Sequence, residues 1–276
     1  MTPRFFFVAV LAAGLGLLPG AGACADEAQT SEHAAAQPWE KDQAFLTETE
    51  KAVQSGGILA VAPRTAALEA ALDGAQFIVV SGDTTYVLTD GPGEALIAMM
   101  TMATDKSRKG GKSVAVANPY PAIALYLGSY YDEVGKSADA LRVVDKGLTS
   151  SAVSDLKLGE HRPFLIAERG AALNALKRWA DALANYDEGL AGEDLAPNIR
   201  AIMDRGRGFS LTELGRLDEA EAAYRDSLKL EPGNAIAENE LKYIAQLKAG
   251  GAKEPTGLKS VQPQPGTDGS GGEPPT

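Results

Sequence analysis

Cysteine is almost missing from this chain: one residue in 276, Cys24. A disulfide framework is therefore excluded. Histidine is nearly as scarce, with His33 and His161 far apart and in no metal-ligand spacing. Zinc, haem and thiol chemistry have no residues to stand on, so neither a metal nor a cofactor is expected. Positive charge is also short. Twenty-six basic side chains face 37 acidic ones, a net charge of −11, which argues against a broad electrostatic grip on nucleic acid or anionic lipid. What remains is an ordinary globular composition, 45% hydrophobic and 23% charged, enough for one or two domains with a proper core.

The first 25 residues differ from this average. "MTPR" precedes the apolar run "FFFVAVLAAGLGLL", which Pro19 and Gly20 break before "AGACA". That order is the pattern of a secretory signal peptide, and the run is short for a membrane-spanning helix. Export to a bacterial periplasm is the expectation. Two ends stay open: "AGAC" resembles a lipobox that would make Cys24 a lipidated first residue, with Ala21 where that pattern has leucine, whereas "ACA" before "DEAQ" suits cleavage after Ala25. Membrane contact is expected only through such an anchor. Residues 26–37 are small and polar and read as a tether. From 249 to 276 the chain is rich in Gly and Pro and reads as a disordered tail.

Three stretches align without gaps: "ALYLGSYYDEVGKSADALRVVDKGL" (124–148), "IAERGAALNALKRWADALANYDEGL" (166–190) and "DRGRGFSLTELGRLDEAEAAYRDSL" (204–228). Gly128, Gly170 and Gly208 share a column, as do Tyr131, Leu173 and Leu211; Ala140, Ala182 and Ala220; and Leu148, Leu190 and Leu228. Each unit reads as two amphipathic helices with tight turns at Gly135-Lys136, Lys177-Arg178 and Gly215-Arg216. Glycine and alanine let the two helices approach where those columns meet, with Val144, Tyr186 and Tyr224 filling the gap beside them. A lone pair leaves an apolar face open, so neighbours must stack. Asn234 then offers an N-cap to a closing helix over 235–248, with Ala237, Leu241, Ile244 and Ala245 inward and Glu238, Glu240, Lys242 and Gln246 outward.

This pattern resembles the tetratricopeptide repeat family over about 120–248, most completely in the third unit, where Gly208, Ala220, Tyr224 and Pro232 all match. The glycine columns stand 42 and 38 residues apart, against a family spacing of about 34, and no proline closes the first two units. The fold expected is mainly α: a right-handed solenoid of about three helix pairs plus a capping helix over 119–248, preceded by a small α+β module or cap over 38–118. The resemblance implies partner contacts on the inner face of each first helix. The matching columns are Leu125, Ser129, Asp132 and Glu133; Phe164, Ala167, Ala171 and Asn174; and Ile202, Arg205, Phe209 and Thr212. Phe164, Ile202 and Phe209 are the expected anchors, with packing under a loop as the open alternative. Family members that hold a chaperone's terminal carboxylate use Lys, Arg and Asn there. Here Arg205 is the one obvious cation, which points to an apolar or mixed ligand.

The module before the repeats reads as a helix from Trp39 ended by Gly56-Gly57, a short helix in "RTAALEAALDG", a hairpin of "FIVV" and "TYVL", a helix opening at Pro92, and a third strand in "SVAVA". Met99, Met100 and Met102 read as core filling. "RKGGKS" at 108–113 resembles the end of a phosphate loop, but Lys106 stands where its first glycine is required, so it reads as a basic loop.

The expected function is an exported, non-catalytic adaptor that binds a protein or peptide through the repeats. Two rivals stay open. One is an envelope enzyme or small-molecule binder using Asp83, Asp90 or Glu94 in a concave site, which fails if these side chains sit exposed on turns. The other is a structural protein that self-assembles through the solenoid face or the hairpin edge.

Overall fold

The computed structural model describes residues 37–105, 111–192 and 195–252. Residues 1–25, expected as a signal peptide and including Cys24, together with His33, nearly all of the expected tether, part of the basic loop and the residues beyond 252, lie outside them.

The chain opens with α1 (Pro38–Gly56), whose proline sits at the first turn, where its missing N–H is no loss. Gly57, at φ 71°, ends it. A 3₁₀ segment that the sequence did not announce, Ile58–Arg64, holds Pro63 and leads into α2 (Thr65–Asp73). Strands β1 (Ile78–Ser81) and β2 (Thr84–Thr89) form the expected hairpin around Gly82-Asp83, with Ile78 opposite Val87 and Val80 opposite Thr85. Helix α3 (Pro92–Thr104) then carries the chain to β3 (Lys112–Ala117), which pairs parallel to β2. The sheet order is β1-β2-β3.

Strand alternation sorts the two faces. Tyr86 packs tilted against Trp39 of α1, ring centres 5.0 Å apart, and Val79 and Leu88 join the same apolar cluster. Val87, buried, looks the other way, where α3 packs on β2 and β3.

Three helix pairs follow: α4 (Tyr120–Glu133) with α5 (Ser137–Leu148), α6 (Arg162–Ala175) with α7 (Trp179–Leu190), and α8 (Pro197–Glu213) with α9 (Leu217–Leu230). First helices touch one another, α4 to α6 and α6 to α8, while each second helix packs on the next first helix. This is a tetratricopeptide-like solenoid. One ion pair recurs across the joints, Arg169 to Asp145 and Arg207 to Asp187, both at 2.6 Å. The 3₁₀ segment and α2 pack against α4, and α2 also reaches α5, so the module covers the first end of the stack.

All three turns share one hydrogen-bond plan. Lys136, Arg178 and Arg216 donate their N–H to the carbonyls of Tyr131, Leu173 and Leu211, and the residues before them donate to Asp132, Asn174 and Thr212. That is the left-handed helix stop, with φ of 75°, 60° and 76° at Gly135, Lys177 and Gly215.

The glycine columns work differently from the expectation. A Cβ on Gly170 or Gly208 would collide with the ring of Tyr186 or Tyr224, so glycine makes room for the aromatic column rather than meeting the alanines. Tyr186 is clamped from the other side by Gly206 of the next unit.

The closing helix, α10 (Ala235–Lys248), has its N-cap as expected, with Asn234 Oδ1 accepting from Ala237 N at 3.2 Å. Its buried face is largely the expected one: Ala237 and Ile244 are buried and Leu241 packs on the same cluster, while Glu238, Lys242 and Gln246 are exposed; only Glu240, buried, and Ala245, exposed, are exchanged.

Candidate functional site

The twelve inner positions do not form an open groove. Leu125, Ala167, Ala171, Asn174, Ile202, Phe209 and Thr212 are all buried. All three expected anchors pack: Ile202 joins the cluster of α6, α7 and α8, Phe209 lies edge-on to Trp179 at 5.8 Å, and Phe164 rests against the clusters on both sides of it. The reason is close first-helix contact. Asn174 donates to the Gly206 carbonyl and accepts from Ser210 Oγ, stitching α6 to α8 where a ligand would have to lie. Phe164 is half-buried, and Glu133 is exposed. Arg205, the only cation of the twelve, is held by Glu231 at 2.6 Å.

Asp132 and Glu168 form a buried acidic pair between the first two units. Among the described residues, both oxygens of Asp132, Glu168 Oε2 and Ser129 Oγ have no hydrogen-bond partner and are shut from solvent. Burial pushes the Asp132 carboxyl up to about 7, with the nearby Ser137 hydroxyl offsetting part of the rise. Burial, then repulsion from Asp132, drives Glu168 well above the usual carboxylate range. The pair therefore retains protons that exposed carboxylates give up.

The second polar cluster joins the module to the loop between the first two units. Asp90 and Glu94 are both buried, whereas Asp83 is exposed on its turn. The enzyme reading thus loses Asp83 at once. Asp90 Oδ1 meets His161 Nδ1 at 2.6 Å, and Oδ2 accepts from His161 N at 2.9 Å, at the N-cap of α6. Glu94 Oε2 accepts from Asp90 N at 2.8 Å and from Ser151 Oγ at 2.6 Å. Gly159 belongs here, because a Cβ would stand 2.6 Å from Asp90 Oδ2. Burial lowers the His161 imidazole, but the hydrogen bond and charge of Asp90, with Glu160 and Glu50 nearby, hold it above the ordinary histidine value.

The cavity at this corner measures about 20 Å³, room for about one water. Its carboxylates are spent on the loop they fasten. The cluster is a clamp that ties the module to the loop before α6. Sequence reasoning left His161 as an isolated loop residue, since its partner lies 71 positions away and no local pattern links them.

One surface feature does repeat. Val134, Leu176 and Leu214 are 39%, 37% and 39% exposed, each just before the left-handed turn residue of its unit. They form an aliphatic row, one side chain per repeat, along the edge where first helix meets second. The row occupies a single column of the aligned units, and the inner-face reading passed over it. Arg178 and Arg216, two positions on, are engaged by Asp181 at 2.7 Å and Glu219 at 2.6 Å, so in the second and third units the row lies beside paired charge, while Lys136 in the first lies 5.9 Å from the centre of the Tyr131 ring.

No protein-family model matches the chain, and no curated protein does either. Solved structures similar to it include the first TPR domain of human RPAP3, at 28% identity and a TM-score of 0.41, covering 48% of this chain and 94% of that one. The first TPR of Spaghetti (RPAP3), bound to the HSP90 peptide SRMEEVD, is 27% identical with a TM-score of 0.40, covering 49% and 97%. The second TPR domain of human RPAP3, in complex with the HSP70 peptide SGPTIEEVD, is 23% identical with a TM-score of 0.37, covering 45% and 98%.

Proposed function

We propose that this chain is a non-catalytic adaptor of the bacterial cell envelope, exported by its N-terminal segment, that binds a protein or peptide along its helical repeats. The observation that carries this reading is the exposed row Val134, Leu176 and Leu214. Three aliphatic side chains at one position of three stacked units give a partner a periodic apolar edge to follow. The inner face contributes at its margin, through Phe164 and Glu133. Capture of a terminal carboxylate fits poorly, because the inner cation Arg205 already serves Glu231. The partner segment is therefore apolar, and it lies across the turns.

The test is capture from envelope extract by the wild-type protein and by the triple variant Val134→Glu, Leu176→Glu, Leu214→Glu, read by mass spectrometry. All three sites are exposed, so circular dichroism of the variant should match wild type. One protein enriched by wild type and lost with the variant supports the reading. Capture that ignores all three glutamates removes the row from the function.

A further inference from the structure

The two joints of the solenoid use the same columns, and only the second is balanced. There Asn174 of α6 donates to the Gly206 carbonyl of α8 and accepts from Ser210 Oγ. At the first joint those columns hold Asp132, Glu168 and Ala172. The amide N–H and the serine hydroxyl are gone, and a carboxylate stands in the glycine's column. Glu168 is 1% exposed, and its Oε2 has no hydrogen-bond partner; nor have the two oxygens of Asp132 or Ser129 Oγ. Ser129 and Asp132 share one face of α4 at a spacing of three. Glu168 is aimed at that face, since its carboxyl feels both the Ser129 hydroxyl and the Asp132 charge. Among the described residues no basic side chain acts on either carboxyl, and Arg169, next to Glu168, is turned to Asp145 and Asn185. Buried polar atoms are normally satisfied, and a converging set with no protein partner marks a place for a bound ion or water.

We infer that Ser129, Asp132 and Glu168 form a site for a divalent cation, calcium, at the first joint of the solenoid. The donors are all oxygen, which suits a hard cation, and such a site needs neither cysteine nor histidine. Two carboxylates match the double charge. Calcium fits better than magnesium, because it accepts irregular geometry while magnesium demands a near-ideal octahedron. Ser129 and Asp132 are half-buried at the margin of the inner face, so the ion comes in from that side and keeps part of its water. Among the described residues no group of three or more His, Cys, Asp and Glu side chains is placed to hold a metal. With only two carboxylates the affinity is weak, about 10⁻⁴–10⁻³ M. Without the ion the pair keeps protons, and the two compete for one place.

Terbium, a luminescent stand-in for calcium, tests the site. Tyr186 of α7 is close enough to feel the charge of both carboxylates, so exciting tyrosine lights an ion held between them. The chelator-treated full chain gives a saturable signal that calcium displaces more strongly than magnesium. Glu168→Gln and Asp132→Asn each weaken calcium binding by at least about tenfold, whereas Asp83→Asn, which removes an exposed carboxylate, changes nothing. Ser129→Ala keeps both carboxylates and weakens calcium less, which covers a carboxylate variant that does not fold. Calcium also raises the thermal midpoint of the wild type above its value in sodium chloride of equal ionic strength, and leaves that of Glu168→Gln unmoved. Equal calcium affinity in wild type, Glu168→Gln and Ser129→Ala overturns the inference, and so does a wild-type midpoint indifferent to calcium.

Discussion

Glu168 fills the space over Gly128 that a tyrosine ring fills over Gly170. A Cβ on Gly128 would stand 2.5 Å from Val144 Cγ2 and 3.3 Å from Glu168 Cγ. One unit later Tyr186 replaces Val144, and Gly206 replaces Glu168 in the aligned columns. Valine plus glutamate at one joint thus occupies the place of tyrosine plus glycine at the next. Val144→Tyr alone should overpack the joint and destabilise by about 1–3 kcal/mol. Combined with Glu168→Gly it should recover, giving a coupling of roughly 1–3 kcal/mol in a double-mutant cycle of chemical unfolding. Additive effects would show that the two positions do not share one space.

The same glutamate sets a pH dependence. Asp132 and Glu168 have folded-state values raised by burial, so the folded chain holds protons that the unfolded chain releases near pH 4. Stability from this pair is full below that pH and falls as pH climbs through about 7, where Asp132 titrates. Glu168→Gln removes the charge and keeps the shape. Its stability relative to wild type should grow between pH 5 and pH 8 by roughly 1–3 kcal/mol, since each tenfold change in proton affinity is worth about 1.4 kcal/mol. A constant difference across that range would mean the pair is already ionised when folded.

The repeats were legible because their information is local and repeated. The Gly, Ala and Leu columns, the turns and the Asn234 cap stand as the alignment places them, because each is decided within one helix pair. The inner face was not legible. Whether Ile202 and Phe209 line a groove or a joint depends on how closely α6 and α8 approach, and that distance is set by Asn174 and Gly206, which meet only in the stack. The Asp90–His161 clamp was hidden for the same reason. In α10 the period placed Ala237, Leu241 and Ile244 inward as the structure has them, and only the exchange of Glu240 and Ala245 at the margin of the face depended on tertiary contact.

Lys177 occupies the left-handed position that glycine holds in the other two turns, at φ 60° against 75° and 76°. A side chain there costs about 1–2 kcal/mol, and glycine's greater freedom in the unfolded chain returns roughly 0.4–1 of that. Lys177→Gly should therefore stabilise by about 0.5–1 kcal/mol, visible as a higher midpoint in urea with an unchanged slope. Lys177→Ala, which keeps the Cβ, should gain nothing. Equal gains from both would trace the effect to the lysine side chain.

The clamp and the acidic pair both lose stability as pH rises, and one background variant separates them. His161 is held above its ordinary value against the pull of burial, so its contribution is full below about pH 6.5 and is lost as pH passes the raised value. Glu50, raised by burial with His161 pulling it back, titrates in the same sense. Asp90→Asn keeps an oxygen for His161 N and removes the charge. In a Glu168→Gln background, where the acidic pair no longer dominates the slope, Asp90→Asn should cost about 1–3 kcal/mol at pH 5.5 and clearly less at pH 9. The segment 149–161, fastened by this contact, should become open to limited proteolysis at pH 5.5 first. If the loss is the same at both pH values, the Asp90 charge contributes nothing, and the clamp holds by shape and neutral hydrogen bonds alone.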